Sequence, residues 1–406
     1  MILFGYLVLF LFFLILILYS IYFKDFVCSS FSILYVSFNY LGGLYYALGG
    51  DAYTVPSSES LKFLLFLHSS VFFGVIFFLL FSPVSKFRSQ YNYRYILNEV
   101  NFYNQSKYIL LFLACLPVIY IFIFHNQFAF YKMLVGAVVS ERDRPDITGG
   151  IPRYYSFTVW ISSVSLPLLV TFIRSSRERV NFKIFSLFML VFFSLAIGSK
   201  SGLMMIAVYT FFTSDLGFRD KVKVSIALVS FLTVFYVGMK IAYNPHLLER
   251  GNELYYLMAD SLFRRVFVIN SAIQGFVVDY FFLESGEIPE GFSHHKQFVF
   301  YSIYGYLPGG APIPFSVELL MKSKNLIYAM IFNVAFIYIW FYFIYASLNN
   351  SHPYVSEVIR FLSFYGFVVS TAGFVDDIVI RSIVPILFFV VLSKLRIKNI
   401  FSKRFF

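Results

Sequence analysis

The chain has 406 residues, of which 59% are hydrophobic and 13% are charged, and its mean hydropathy is +0.76. Because soluble domains carry about 25% charged residues, this composition excludes a soluble globular protein and predicts one membrane domain over the whole chain, 1–406. The formal net charge of +11 is typical of cytoplasmic connectors that follow the positive-inside rule. The chain has no nucleic-acid-binding motif, so we expect no nucleic-acid partner.

The predicted elements are membrane-spanning helices, each of which requires about twenty mostly apolar residues. The stretch 184–214 is too long for one span and is interrupted by Gly198-Ser-Lys-Ser-Gly202, so we interpret it as two short spans. The predicted fold is an all-α polytopic membrane protein with about 11 transmembrane helices. The other predicted spans are 2–23, 26–49, 61–82, 108–125, 154–173, 224–241, 326–347, a weaker 359–373, and 378–393.

The basic residues predict the orientation of these spans. They cluster in 174–183, in 219–223 and in the C-terminal 394–404, and these segments share one side of the membrane only if 184–214 crosses twice. The N-terminus is then outside and the C-terminus is cytoplasmic. Two larger loops, 126–153 and 243–325, are then periplasmic.

The loop 243–325 is the largest polar segment of the chain. Arg264 and Arg265 open a stretch that we interpret as an amphipathic helix lying on, or dipping into, the membrane surface. A Pro/Gly-rich stretch follows at 304–315. A cationic, conformationally constrained loop between spans indicates that the protein handles an anionic group at the membrane surface.

Several cations are candidates for binding that anion. Lys200 lies between two apolar half-runs, where it either snorkels from a short outer turn or faces a phosphate in a water-filled cavity. Arginine donates paired hydrogen bonds to phosphate oxygens. The arginines proposed for a phosphate or pyrophosphate are Arg142, Arg144 and Arg153 in the first loop, and Arg264 and Arg265 in the second. Ordinary loop ion pairs and headgroup anchoring are the alternatives.

The candidates for a general base are His294 and His295, with Glu141 behind them, because histidine titrates near neutral pH. The histidines have no metal-ligand spacing, and Cys28 and Cys115 indicate neither a metal site nor a disulfide framework. We therefore predict no metal and no cofactor. Asp377 and Arg381 are four residues apart and are predicted to pair on one helix face.

Motifs of the common nucleotide, zinc-protease and serine-hydrolase sites are absent from the sequence. Without a soluble domain to bind a nucleotide, any reaction must use substrates that arrive in the membrane. The Gly198–Gly202 turn, the arginine that opens the late loop helix, the Pro/Gly-rich tail and the span layout together resemble the Wzy-type O-antigen polymerases. Arg264 and Gly275 also match an Arg-x10-Gly spacing of some members, although the earlier loop has no such match.

This resemblance implies a membrane glycosyltransferase of the bacterial inner membrane with a periplasmic catalytic face. The growing oligosaccharide, carried on undecaprenyl pyrophosphate, would be transferred to the non-reducing end of a new lipid-linked repeat unit of lipopolysaccharide O-antigen. Partners would include membrane lipids, a chain-length regulator and a flippase. The leading candidates to stabilise the pyrophosphate are Lys200, Arg153, Arg264 and Arg265. The hydroxyl proton would be accepted by His294 or His295.

Three other functions remain as alternatives. A flippase for the lipid-linked oligosaccharide would be expected to line a central cavity with charges from many spans, and here such charges are few. A membrane O-acyltransferase would be expected to place a histidine and an arginine in early spans, where His68 is present but no arginine precedes Arg88. An O-antigen ligase shares the layout of the polymerase.

Overall fold

The computed structural model describes residues 1–23, 25–83, 106–112, 164–174, 180–197, 201–213, 253–292, 294–305, 311–349 and 353–394, with scattered single positions elsewhere. This described part of the chain is helical between its turns and contains no strand. Five of its helices are long and apolar enough to cross a membrane. The prediction of a helical membrane protein is therefore confirmed.

The helices are numbered along the chain. The helices of the described residues are α1 Ile2–Tyr22, α2 Phe26–Ala47, α3 Ser58–Phe81, α4 Leu166–Arg174, α5 Val180–Ile197, α6 Ser201–Thr213, α7 Tyr256–Leu283, α8 His295–Tyr304, α9 Phe315–Ser323, α10 Leu326–Asn349, α11 Pro353–Ser370 and α12, 375–394.

Most predicted spans that fall on described residues coincide with helices. The runs 2–23, 26–49, 61–82 and 326–347 correspond to α1, α2, α3 and α10, and α5 and α6 lie on either side of the glycine-rich interruption. The helices α11 and α12 overlap the last two predicted spans. The second half of the run 154–173 contains α4, and its first half is outside the described residues. The runs 108–125 and 224–241 lie largely outside the described residues, as does the loop 126–153.

The chain divides into two compact units. The first contains Met1–Tyr91, Tyr256–Asn350 and Ser363–Ile386, and the second contains Asn92–Tyr255, Ser351–Leu362 and Leu387–Phe406. In the second unit α4, α5 and α6 pack against one another. The hydroxyl of Tyr209 on α6 there donates to Glu357 Oε1 at 3.0 Å.

The starts of α2 and α3 are fixed by local chemistry. Asp25 precedes α2 and its carboxylate accepts from the backbone N–H of Cys28, while the hydroxyl of Ser57 accepts from the N–H of Ser60 in the first turn of α3. These are N-cap interactions, which satisfy backbone donors that the helix itself leaves free. The sequence between the caps is apolar enough to continue each helix to its end.

The helices α1 and α3 run parallel. Gly5 near the start of α1 lies against Leu65, and Phe13 further along α1 packs on Phe72 with ring centroids 5.2 Å apart. The helix α2 runs in the opposite direction, since Tyr35 contacts Phe13 whereas Tyr40, further along α2, contacts Tyr6 near the start of α1. These three helices form an up-and-down group.

The helices α3 and α10 also run parallel, and they form the most extensive helix pair of the first unit. Asn333 Nδ2 donates to Ser70 Oγ at 3.2 Å, and about two turns later Phe78 meets Phe341 with ring centroids 5.6 Å apart. Gly74 lies between these contacts, and its missing side chain lets the two backbones approach. The starts of α1, α3 and α10 therefore lie at the same end of the unit.

The helix α7 packs across this end of the unit. Phe263 lies on Tyr45, and the hydroxyl of Ser271 donates to the backbone oxygen of Asn39 at 2.8 Å, so α7 follows the last turns of α2 in the antiparallel direction. The Asn39 oxygen lies in a π-helical turn, Val36–Tyr40. Such a wider turn interrupts the regular i to i−4 hydrogen-bonding pattern.

The later part of α7 contacts the start of α3. Ser60 Oγ donates to the backbone oxygen of Gly275 at 3.0 Å, and the N–H and hydroxyl of Ser57 both donate to the carboxylate of Asp279. Phe282 then packs on Phe63. The polar contacts between α7 and α3 thus involve the N-cap and the first turn of α3.

Candidate active site

A group of charged side chains from α8, α9 and α12 meets at the end of the first unit where α10 and α12 begin. We refer to this group, together with the ring of Phe374 just before α12, as the charged cluster. Its polar members are His295, Lys296, Glu318, Lys322, Asp377 and Arg381. Its elements are positioned by the apolar residues beneath them, because the inner faces of α8 and α9 belong to the same buried core as those of α3 and α7.

Asp377 joins two cations in the cluster. Its Oδ2 accepts from Lys296 Nζ at 2.8 Å, and its Oδ1 lies 3.4 Å from Arg381 Nη2. The same carboxylate accepts from the backbone N–H of Phe374, as expected of an acidic residue in the first turn of a helix. The predicted pairing of Asp377 with Arg381 is confirmed, and Lys296 adds a partner from a different helix.

Glu318 holds the third cation. Its Oε1 lies 2.5 Å from Lys322 Nζ, and its Oε2 accepts from the backbone N–H of Val375 at 2.7 Å. The Glu318 side chain is only 6% exposed, whereas that of Lys322 is 49% exposed. The buried carboxylate therefore fixes the lysine while the ammonium group reaches the surface.

Phe374 lies between the two lysines. The Nζ atoms of Lys296 and Lys322 are 4.3 Å and 5.2 Å from the centroid of its ring. Both distances are within the range of cation–π attraction. The cluster thus contains three cations and two carboxylates, and the exposed Asp376 lies beside Asp377 in the same helical turn.

His295 is partly buried beside these cations, and its ring packs on Phe281 with centroids 5.2 Å apart. Burial, followed by the positive charge of Lys322, lowers the pKa of His295 below its ordinary value of 6.5. Both effects disfavour the imidazolium form. His295 is therefore neutral at pH 7 and can accept a proton.

Asp377 is ionised under the same conditions. Burial opposes its ionisation, but the hydrogen bond and charge of Lys296, the charge of Arg381 and the N–H of Phe374 outweigh burial and lower its pKa. The cluster thus combines a neutral base with fixed cations, which is the arrangement needed to bind a phosphate and take a proton from a nearby hydroxyl.

The other predicted site residues lie elsewhere. His294 precedes α8 and is exposed. Arg264 on α7 forms an ion pair with Asp260 at 2.7 Å, and Arg265 beside it is exposed. Lys200, Glu141, Arg142, Arg144 and Arg153 lie outside the described residues.

Sequence reasoning missed Lys296, Glu318, Lys322 and Phe374. The pair Glu318 and Lys322 had a detectable signal, since an acid four residues before a lysine on a helix is the favoured order for an ion pair. Lys296 had none, because its partner Asp377 is 81 residues away in the chain. Within the described residues no group of three histidine, cysteine or acidic side chains is arranged to hold a metal ion.

No protein-family model matches the chain, and no curated protein or solved structure matches it. The functional interpretation therefore depends on the residues of the site and their chemistry.

Proposed function

We propose that the protein is a membrane glycosyltransferase of the O-antigen polymerase type, which transfers an oligosaccharide from a polyprenyl pyrophosphate carrier to a hydroxyl group of a second lipid-linked repeat unit. The observation that carries this proposal is the neutral His295 near Lys322, in a cluster that also contains Lys296 and Arg381. This arrangement suits a reaction whose leaving group is an anion and whose acceptor is a hydroxyl.

In the proposed reaction, the acceptor oxygen forms a bond to the anomeric carbon of the donor sugar, and the bond from that carbon to the pyrophosphate oxygen breaks. The hydroxyl proton goes to His295. The electron pair of the broken bond stays on the lipid pyrophosphate, whose growing negative charge is stabilised by the two ammonium groups and the guanidinium. Because pyrophosphate is already a weak base, the leaving group needs no general acid.

The carboxylates of Asp377 and Glu318 have a positioning role in this scheme. They hold Lys296 and Lys322 in fixed places before a substrate arrives, so little reorganisation is needed when phosphate binds. Arg264, Arg265, Lys200 and the arginines of the first loop, Arg142, Arg144 and Arg153, are proposed as further phosphate contacts. His294 and Glu141 remain the alternative bases.

The proposed topology has about eleven spans and a periplasmic loop between 243 and 325. Parallel α3 and α10 require an odd number of crossings between them, and the predicted runs there are 108–125, 154–173, two within 184–214, and 224–241, which is an odd number. A membrane crossing by α7 would make the number of crossings between α3 and α10 even. The contacts of α7 with the first turn of α3 and the last turns of α2 likewise favour a helix that dips into the membrane from one side.

The cluster then faces the periplasm, because α10 and α12 begin beside it and run towards the cytoplasm. The proposed location is the bacterial inner membrane. The proposed partners are undecaprenyl-pyrophosphate-linked oligosaccharide, a chain-length regulator and a flippase.

Deletion of the gene, followed by electrophoresis of the host lipopolysaccharide, tests the function. We expect core carrying a single repeat unit and no ladder, as for a lost polymerase. Bare core would instead indicate a flippase or a ligase. An intact ladder would contradict all three functions and indicate a modifying enzyme such as an acyltransferase.

Complementation with point variants tests the site. We expect Lys322→Gln to abolish or strongly reduce the ladder at unchanged expression, and Arg264→Ala and Lys200→Ala to do the same if these residues also contact phosphate. Lys324→Gln is the matched control, since this lysine follows Lys322 closely but ends α9 outside the cluster. An equal loss in the control would contradict a specific role for the cluster.

A further inference from the structure

A second polar region lies inside the first unit, among spans that are otherwise apolar. It contains four completely buried side chains, those of Asn39, His68, Gln274 and Asn333. None of them takes part in the reaction proposed above. An ionisable or amide side chain at the centre of a membrane domain is costly and calls for a functional explanation.

His68 lies near the middle of α3, and one side of its ring is hydrogen-bonded. Nδ1 of His68 is 2.8 Å from the hydroxyl of Tyr35 on α2. The rings of Tyr35, Tyr40 and Tyr6 surround the imidazole edge-on, with centroids 5.3 to 6.4 Å away. The other nitrogen, Nε2, is buried and has no hydrogen-bond partner among the described residues.

The neighbouring amides are also only partly satisfied. Gln274 Nε2 donates to Asn39 Oδ1 at 3.1 Å, which leaves Gln274 Oε1 and Asn39 Nδ2 buried and unpaired within the described part of the chain. Asn333 Nδ2 donates to Ser70 and to the backbone of Ser316, but Asn333 Oδ1 is unpaired in the same sense.

These atoms are connected by the fold. Asn39 is one helical turn beyond Tyr35 on α2 and directly precedes Tyr40, so the amide pair adjoins the tyrosines that surround His68. Asn333 donates to the backbone of Ser316, whose side chain lies near the hydroxyl of Tyr35, the group that binds His68. The site therefore contains donors and acceptors of hydrogen bonds from α2, α3, α7 and α10.

The composition of the site selects its ligand. The four side chains and the tyrosines around them carry no lysine, arginine or carboxylate, so neither an anion nor a cation would be matched by an opposite charge. A water molecule can both donate and accept, and buried water in proteins typically makes about three hydrogen bonds to otherwise unsatisfied groups. An entirely dry arrangement would leave the unpaired atoms desolvated without compensation.

We propose that this interior is a hydration site, in which ordered water molecules bind Nε2 of His68 and the unpaired amide atoms of Asn39, Gln274 and Asn333. The water connects α7 to the spans beneath it and keeps the ring of His68 in exchange with solvent. This inference does not depend on the glycosyltransferase function.

The direct test is an electron cryo-microscopy map of the full chain in lipid nanodiscs, at a resolution that shows ordered water. We expect density within hydrogen-bonding distance of His68 Nε2 and of the Asn39 and Gln274 amides. Side chains that pair with one another and leave no density between them would overturn the proposal.

A double variant tests whether the site holds water, and the readout is whether its Tm falls or rises. Replacing Asn39 and Gln274 together by Leu removes the amide ligands of the water, so the proposal expects a lower Tm than in the parent. A dry site would give an unchanged or higher Tm, since both partners of the amide pair are replaced by apolar groups. Ser69→Ala is the control, because among the described residues that hydroxyl binds only the backbone of its own helix.

Hydrogen exchange of the His68 ring N–H with solvent provides a further measurement. A purely structural role of His68 would not require this exchange. In ¹⁵N-histidine-labelled protein, the His68 signal, assigned by its loss in His68→Gln, is expected to exchange in D₂O without unfolding. An N–H that exchanges only when the protein unfolds would contradict the proposal.

Discussion

His294 and His295 are adjacent in the sequence but differ in their surroundings. His294 is exposed before the start of α8, whereas the ring of His295 packs on Phe281 near the ammonium group of Lys322. Burial and the charge of Lys322 lower the pKa of His295. This difference is the reason for assigning the proton-accepting role to His295.

Replacement of His295 by Gln is expected to reduce the rate of polymerisation about 10²- to 10⁴-fold, the usual contribution of a general base. The measurement is the yield of polymer from purified lipid-linked repeat units in nanodiscs. The His294→Gln variant should keep most of its activity. Equal losses in both variants would assign the base to the pair rather than to His295.

The pH dependence of the reaction should reveal the influence of Lys322. The rate should fall at acid pH as His295 becomes protonated. Because the pKa of His295 is lowered, this fall should occur at a pH below 6.5, the ordinary pKa of histidine. Lys322→Gln removes a positive charge, which raises the pKa of His295 and should move this fall to higher pH. A pH–rate profile of the residual activity that kept its position would show that the lysine does not act on the base.

Asp377 is expected to stabilise the folded protein. Asp377→Asn leaves Lys296 and Arg381 without their carboxylate and should cost about 1–3 kcal/mol. Because the pKa of Asp377 is lowered in the fold, its contribution is present above the unfolded pKa, near 4, and is lost as pH falls through the lower folded value. The gap in Tm between parent and variant should therefore narrow in acid, and a gap that is constant with pH would contradict this account.

How much of the site the sequence could predict depends on sequence separation. The pair of Asp377 and Arg381 was predictable because both residues belong to one helix and are four apart. The bond from Lys296 to the same carboxylate depends on how α8 packs beside α12, and no local pattern specifies that packing. The packing of His295 on Phe281 was unpredictable for the same reason.

Among the helices, α7 departs most from its prediction. Arg264 and Arg265 were expected to open an amphipathic helix. The structure extends that helix in both directions to 28 residues, long and apolar enough to cross a membrane. The polar side chains on its inner face, such as Ser271 and Gln274, are buried against Asn39. A pattern of polar and apolar residues cannot distinguish a face in contact with lipid headgroups from one in contact with polar side chains.

Gly275 is expected to be essential for the packing of α7. A Cβ atom at this position would overlap the ring of Pro56, just before α3. Gly275→Ala should therefore displace the helix and destabilise the protein by about 1–3 kcal/mol, the usual cost of overpacking, as measured by thermal unfolding in detergent. Gly238→Ala is the control, since a Cβ there would meet no atom of the described residues within 4 Å. A similar loss in both variants would contradict the role of the Pro56 contact.

At the scale of the whole molecule, the apolar runs predicted α1, α2, α3 and α10 to within a few residues. Length and hydropathy suffice for this, because a span must satisfy all its backbone groups within one helix. The order in which the spans pack could not be predicted. The pairing of α3 with α10 depends on Gly74 and on the Ser70–Asn333 hydrogen bond, whose partners are 263 residues apart.

The proposed topology makes a labelling prediction. In a chain whose cysteines are replaced by serine, single cysteines at Asp51, Gly291 and Ala372, all exposed or close to the surface of the first unit, should react with an impermeant maleimide added from the periplasmic side. A cysteine at position 291 that reacted only from the cytoplasm would mean that α7 crosses the membrane.

The hydrogen bonds between α7 and the early helices α2 and α3 have a consequence for biosynthesis. Ser271 binds Asn39 from 232 residues away and Gly275 binds Ser60 from 215 residues away. At about 5–20 residues per second, a ribosome needs roughly 10 to 50 seconds to make the intervening chain. During that interval α1, α2 and α3 are already in the bilayer, and the amide of Asn39 has no Gln274 to accept a hydrogen bond from. Nascent chains of this length should therefore depend on an insertase or chaperone that shields polar groups in lipid, and should be the stage most exposed to membrane proteases.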